Sequence, residues 1–410
     1  MPQSNKLKII NDPIYGFINI PSEFIYDVIQ HPYFQRLRRI TQMGLSNLVY
    51  PGANHTRFHH ALGCMHLMQK AVEVLKNKHV AIAKEEEEGL YLAILLHDIG
   101  HGPFSHAMEN SIVENINHEK ISLLFLHKLN QEFNGKLHIA IQIFTNSYPK
   151  KFLHQLISSQ LDIDRLDYLK RDSFYSGVAE GNINSDRIIQ MLNVYDDKLC
   201  IEEKGIFSIE KFIVARRIMY WQVYLHKTGV VAEEILIKIF KRAKTLLAKN
   251  ISLEIDNKSL IYFLSNTINE DSFNQEKLHL FSMLDDVDIM FAIKRWQFHN
   301  DKILQLLCKI IINRDLPKIT ISDKKTSKET INNFKKKVAK EYNISINDAS
   351  YFVFTGTLTN IAYNKNDNPI YLLRKNKQLI DCINTSDLSH INYLAKKVTK
   401  HYFVYPKKIE

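Results

Sequence analysis

In the stretch LYLAILLHDIGHGPFSH, residues 90–106, the side chains able to do chemistry are His97, Asp98, His101 and His106. The segment that delivers them is apolar on nearly every turn, at Leu90, Leu92, Ala93, Ile94, Leu95 and Leu96. It therefore reads as a helix buried inside a domain. Gly100, Gly102 and Pro103 stop it. Buried charge survives when it is paired or bound to a metal, so a buried helix ending in His-Asp points to bound chemistry at that end.

Other stretches carry groups of the same kind. In NHTRFHHALGCMHLMQK, Phe58, Leu62, Met65, Met68 and Val72 recur at helical steps, which predicts an amphipathic helix over Thr56–Lys76 with Thr56 as N-cap. Arg57 and His60 share a face of its first turns. In residues 158–178, Asp164, Tyr168 and Asp172 are four apart and line one helical face. A salt-bridged surface helix accounts for those charges but less well for a tyrosine within an acidic stripe. Glu210–Phe240 reads as one long helix carrying Arg216, Arg217, Tyr220, Trp221, Tyr224, His226 and Lys227; aromatics at this spacing are usually core. Arg36, Arg38 and Arg39 crowd one turn, as surface charges or as phosphate ligands.

These groups sit in a chain of 410 residues, 45% apolar and 24% charged, the profile of a globular protein with two or three structural units. No apolar run reaches the roughly 18 residues of a membrane span, and the opening MPQSNKLK is no signal peptide. Four cysteines without paired spacing are read as reduced thiols, with a cytoplasmic location as the expectation. Lys and Arg number 54 against 44 Asp and Glu, and 13 against 6 over residues 331–410. The basic surplus therefore concentrates near the C-terminus and would attract polyanions of any kind.

Taken in order, residues 7–20 suggest a hairpin around Pro13 and Gly16, and Ser22–Leu37 a helical region broken at Pro32. Glu85–Glu88 open the central helix, and a further helix covers Lys120–Leu129. More helices fill 250–312, among them Trp296–Ile312. Beyond Pro317, β-rich runs flank helices over Glu329–Tyr342 and Leu388–His401, an α+β lobe.

The blocks INDPIYG, YFQRLRRITQMG, PGANHTRFHHALG, HDIGHGPFSH, NHEK, DIDRLDYLKRD and YLHKTG, in that order, resemble the HD-domain deoxynucleoside-triphosphate triphosphohydrolases. The likeness is nearest to the branch of the vertebrate antiviral dNTPase and its bacterial relatives. It runs from about Lys8 to Glu234, weakens toward residue 320 and holds only in outline in the final lobe. It implies a mainly α protein: an HD-domain helical core with N-terminal arm over 1–245, a helical extension over 246–318 and a smaller α+β C-terminal lobe over 319–410.

The resemblance further implies a divalent metal (Mn, Fe, Zn, Ni or Mg) held by His60, His97, Asp98 and Asp164, with His59 a mere neighbour. It implies water attack at the α-phosphorus of a dNTP, releasing deoxynucleoside and intact triphosphate, with His106, Glu109 and His118 as the proton-handling set. Glu109 stands where the vertebrate enzyme has aspartate. Arg57, His101, Arg165 and Arg216 fall on phosphate positions, and Gln42, Tyr168 and Asp172 on positions that hold the sugar and its 3′-hydroxyl. Tyr224 falls where a side chain crowds C2′. Leu225 replaces a glutamine, which removes a hydrogen bond to the base.

A homo-oligomer (dimer or tetramer) and an activating nucleotide are implied too. Lys8, Asn11, Gln35, Arg36 and Arg38 fall on the regulatory positions, and Gln30 replaces an aspartate that reads guanine. Two readings compete: an HD phosphohydrolase of nucleoside monophosphates or other phosphoesters, and a nucleic-acid- or nucleotide-binding protein with a vestigial HD site. Three arginines favour a polyphosphate over the first. Chemically competent side chains at every site position weigh against the second.

Overall fold

The computed structural model describes residues 8–104, 109, 111, 113, 116–364, 369–385 and 395–409. The chain opens with an antiparallel hairpin, β1 (Ile9–Asp12) and β2 (Gly16–Asn19), in which Asp12 pairs with Gly16 across the turn. Asp12 closes that turn with its own carboxylate, Oδ1 accepting from the backbone of Ile14 (2.9 Å) and Tyr15 (3.0 Å).

Three helices form the centre. Arg57–Asn77 starts at Thr56, whose backbone N–H donates to His59 Nδ1 (3.2 Å) and whose hydroxyl lies 2.9 Å from the same atom. The first histidine of RFHH, His59, thus caps its own helix. Lys84–Leu96 is buried without a break from Gly89 to Leu96, as its composition requires, and ends at His97. Ile163–Ser176 is capped by Asp162, which accepts from the Arg165 backbone at 2.8 Å. The helix His118–Glu132 crosses just beyond the HD turn, and so closely that a Cβ on Gly100 would lie 2.3 Å from both the His118 carbonyl oxygen and the Ser122 nitrogen. Only glycine fits there.

The structure departs from the expected helices in three places. The Glu210–Phe240 pattern is two helices, Ile206–Met219 and Lys227–Leu247, separated by a π-helical turn over Tyr220–Tyr224 and a break at Leu225-His226. His226 caps the second, its Nδ1 accepting from Thr228 N at 3.2 Å. Trp296 does not begin the helix toward Ile312; it ends Asp286–Trp296, and the next helix is Lys302–Ile312 with Asp301 as its cap. Of the expected helix Leu388–His401, residues 388–394 lie outside the described residues, and Val398–Tyr405 is a strand.

That strand is β9, the middle of a three-stranded antiparallel sheet with β5 (Lys318–Ser322) and β6 (Phe354–Asn360), beside the expected helix, Lys328–Tyr342. A second sheet joins distant parts of the chain. β3 (Leu192–Tyr195) and β4 (Lys198–Glu202) form a hairpin, and β4 pairs in parallel with β7 (Tyr371–Leu373), with β8 (Leu379–Asp381) outermost. Among the described residues, no helix is long and apolar enough to cross a membrane. The four cysteines are free and buried.

Candidate functional site

Three helix ends meet at one point. His60 comes from the first turn of Arg57–Asn77, His97 and Asp98 from the end of Lys84–Leu96, and Asp164 from the first turn of Ile163–Ser176. His60 Nε2 lies 3.1 Å from Asp164 Oδ1 and 3.7 Å from Asp98 Oδ2. His97 Nε2 lies 3.4 Å from Asp98 Oδ1 and 3.6 Å from Asp164 Oδ1.

Each ring is held from behind, which leaves Nε2 facing inward. His97 Nδ1 sits 2.6 Å from the Ile94 carbonyl oxygen and His60 Nδ1 sits 2.7 Å from Asp167 Oδ2. His97 Nε2 is itself buried and, among the described residues, without a hydrogen-bond partner, although two carboxylates face it. An orphaned buried nitrogen beside two anionic oxygens fits a divalent cation bound by nitrogen and oxygen ligands. The pKa shifts agree with this geometry. Despite burial, the neighbouring imidazoles of His60 and His97 hold Asp164 well below the carboxylate range. Despite burial, His97 and Arg57 do the same for Asp98. Cys64 Sγ also approaches, 3.5 and 3.6 Å from the two ring nitrogens of His60. Burial pushes its thiol up and keeps it protonated, so the histidines and aspartates remain the competent donors.

A second group adjoins the first. Asp98 is paired with Arg57 Nη1 and lies 3.3 Å, through Oδ1, from His101 Nε2. His101 stacks on His118 at 3.9 Å with an interplanar angle of 16°. His118 Nδ1 is 3.1 Å from Glu109 Oε1, which also accepts from the His118 backbone at 3.0 Å. Burial and Arg57 push His101 well below the usual histidine range, so it is neutral at pH 7. Residue 106, the expected proton donor, lies outside the described residues.

On the other side of Asp164 stand the groups expected to hold a sugar and phosphates. Tyr224 donates to Asp172 Oδ2 at 2.8 Å, and His55 Nε2 is 2.7 Å from Asp172 Oδ1. The Tyr224 ring packs edge-on against Tyr168 (6.0 Å) and Tyr220 (5.2 Å). Gln42 reaches the same group, its backbone N–H donating to the His55 carbonyl at 3.0 Å. Gln42 Oε1, Tyr168 Oη and Arg216 Nε are buried and lack a hydrogen-bond partner among the described residues. Arg165 donates through Nε to the Ser159 carbonyl (2.8 Å) and lies 3.2 Å from Asp162.

The residues assigned to a regulatory nucleotide do not form one free cluster. Lys8 Nζ sits 3.2 Å above the Tyr26 ring, and Asn11 is exposed on β1. Gln35 Oε1 accepts from Arg38 Nε at 2.8 Å, and the Arg38 guanidinium lies 3.6 Å above the Phe58 ring. Arg36 is different. It is 1% exposed, donates to the Ile99 carbonyl (2.8 Å) and the Leu284 carbonyl (3.2 Å), and sits between Phe125 and Phe281. Its guanidinium ties the turn after the HD pair to the helical extension, which is a structural task.

Three features escape the sequence reading. His55 lies inside PGANHTRFHHALG and fixes Asp172. Asp286 accepts from Thr41 N (2.8 Å) and from Phe104 N (2.7 Å), tying both backbones to the start of the Asp286–Trp296 helix. Asp167 sits one turn from Asp164 on the same helix, and that spacing was the available signal.

Comparison with known proteins agrees with this arrangement. The HD domain matches residues 57–172 and the HD associated region residues 183–275. An uncharacterized protein of Bacillus subtilis is 32% identical over 98% of this chain and 93% of its own length. The deoxynucleoside triphosphate triphosphohydrolase SAMHD1 homolog of Dictyostelium discoideum is 32% identical over 62% of this chain, which spans 52% of that protein. A crystal structure of a phosphohydrolase from Bacteroides thetaiotaomicron shares 49% identity and a TM-score of 0.94, over 98% of this chain and 100% of that one.

Proposed function

The chain belongs to the dNTPase-like HD-domain phosphohydrolases, a divalent-metal-dependent family, and from that premise we propose that it hydrolyses deoxynucleoside triphosphates to deoxynucleoside and inorganic triphosphate. The observation that carries the reading is a set of buried polar atoms without a hydrogen-bond partner among the described residues: His97 Nε2, Tyr168 Oη, Arg216 Nε and Gln42 Oε1. Unpaired buried donors and acceptors cost on the order of 1–3 kcal/mol each, so a site that keeps several is built for a polar ligand.

His60, His97, Asp98 and Asp164 would hold the cation, which when bound supplies Lewis-acid polarisation of a phosphoryl oxygen and a lowered pKa for water. Arg216, Arg165 and Arg57 would offset the negative charge of the phosphates. Asp172, oriented by His55 and Tyr224, accepts a hydrogen bond from the 3′-hydroxyl, and the Tyr224 ring closes the space next to C2′. The departing 5′-oxygen needs a proton, which we assign to His106, supported by the Glu109–His118 pair.

The test is product identification by mass after incubation with each dNTP and each of several divalent metals. Intact triphosphate supports the reading. A second reading, a phosphohydrolase of nucleoside monophosphates, is favoured by one observation: Arg57 is already engaged by Asp98. Turnover of monophosphates to inorganic phosphate, with dNTPs left whole, would replace the first reading with the second.

A further inference from the structure

Two fully buried charges take no part in the chemistry above. The side chains of Asp167 and Arg171 are 0% exposed, and their partner Asp12 is buried with them. We infer that Asp167 is a positioning residue for the metal pocket, and that Arg171 and Asp12 tie it to the N-terminal hairpin. The inference rests on a metal held at His60 and not on the identity of the substrate.

An imidazole ligates through one nitrogen while the other carries its proton. Which nitrogen is which follows from the hydrogen bond made behind the ring. Asp167 Oδ2, 2.7 Å from His60 Nδ1, places the proton on Nδ1 and leaves the Nε2 lone pair aimed at Asp164 and Asp98. Asp167 cannot swing away. Arg171 Nε donates to Oδ2 at 2.9 Å and Nη2 to Oδ1 at 3.0 Å, so the carboxylate is gripped at both oxygens. The far side of the guanidinium is gripped in turn by Asp12, at 2.8 Å from Nη1 and 3.4 Å from Nη2. Asp12 also closes the β1–β2 turn, and the Tyr15 ring from that turn lies 5.5 Å from the guanidinium carbon.

The helix that carries His60 makes room for this chain of contacts. A Cβ on Gly63 would come within 2.1 Å of Asp167 Oδ1 and 2.2 Å of Arg171 Nη2. A plain structural ion pair would need no ligand ring at its end, and buried pairs of that kind can often be replaced by apolar groups without loss. Here the series terminates on the back of a ligand, and its other terminus is a surface hairpin.

The test uses the full-length protein stripped with chelator and titrated with Mn²⁺ by calorimetry, with thermal melts recorded alongside. Wild type binds Mn²⁺. Asp167→Asn keeps an acceptor for the ring but loses the charge that Arg171 grips, and weakens binding. Asp167→Leu removes both and weakens it further, by about 10- to 100-fold. Asp12→Asn, one residue further out, weakens Mn²⁺ binding by a smaller factor in the folded protein. Wild-type affinity in a folded Asp167→Leu overturns the positioning role. Where that variant does not fold, Asp167→Asn decides on the same criterion. Asp12→Asn with unchanged affinity and a lowered melting temperature overturns the link to the hairpin. A wild-type protein that binds no Mn²⁺ removes the premise, whereas dNTPs left unhydrolysed by a protein that binds Mn²⁺ would sink only the substrate assignment.

Discussion

On the proposed function, discrimination between deoxyribose and ribose would fall to Tyr224, and replacing that side chain in two ways separates its two contributions. Its hydroxyl donates to Asp172 Oδ2 at 2.8 Å, while its ring edge packs on Tyr168 and Tyr220. Tyr224→Phe keeps the ring and removes the hydroxyl. Asp172, 2% exposed, then retains only His55 as its described partner. Losing one hydrogen bond to a buried carboxylate costs about 1.5–3 kcal/mol, and that cost should appear as lowered stability toward denaturant. The sugar preference should persist, because the crowding surface is intact. Tyr224→Ala removes the crowding itself. Steric rejection of one hydroxyl is worth roughly 1–3 kcal/mol, about 10- to 200-fold in kcat/KM, and Tyr224→Ala should bring the ratio of dATP to ATP toward unity. The assay is kcat/KM for dATP against ATP and dGTP against GTP in all three proteins. If wild type cleaves both sugars alike, or if Tyr224→Ala retains the full preference, the assignment of this ring is wrong.

Other perturbations have outcomes as definite. His97→Ala should lose the metal with modest effect on the fold, whereas Asp98→Ala should lose metal and also be destabilised, since its buried pair with Arg57 is broken; elemental analysis and denaturant melts report the two effects. His106→Ala should keep the metal and lose turnover, and loss of both would make that residue a ligand. Glu233 offers a pH test: burial pushes its carboxyl up to about 7, so the native state holds a proton that the unfolded chain, titrating near 4.3, releases. Stability therefore falls as pH rises between those two values, by roughly 3–4 kcal/mol, and Glu233→Gln should flatten that slope and stabilise the protein at pH 8 but not at pH 4. An unchanged slope in Glu233→Gln would assign the pH dependence to other groups.

The elements that position the site were legible because their signals are local. Apolar runs, the Thr56 cap and the glycines around the HD pair each act within a few residues. What escaped depends on tertiary placement. The aromatic pattern of Tyr220–Tyr224 continues helical spacing on both sides, and no Gly or Pro marks the π turn or the break at Leu225. Trp296 was assigned to the wrong helix because apolar periodicity runs through it, although Asp301 was a readable cap. Asp167 and Arg171, four apart, look like a surface salt bridge in sequence. Their complete burial, and hence their contact with His60, depends on how the hairpin folds over them.

The parallel pairing of β4 with β7 carries a consequence for anyone who would shorten this chain. The last ninety residues are rich in lysine and look dispensable, but β7 covers the open side of β4 at Cys200 and Ile201, both 1% exposed. A fragment ending at Pro317 would present that strand to solvent with its N–H and C=O groups unmatched and an apolar side chain beside them. Exposed edges of this sort recruit other chains. Truncation would thus yield a self-associating protein, and a loss of turnover in such a fragment would report on precipitation before it reported on catalysis.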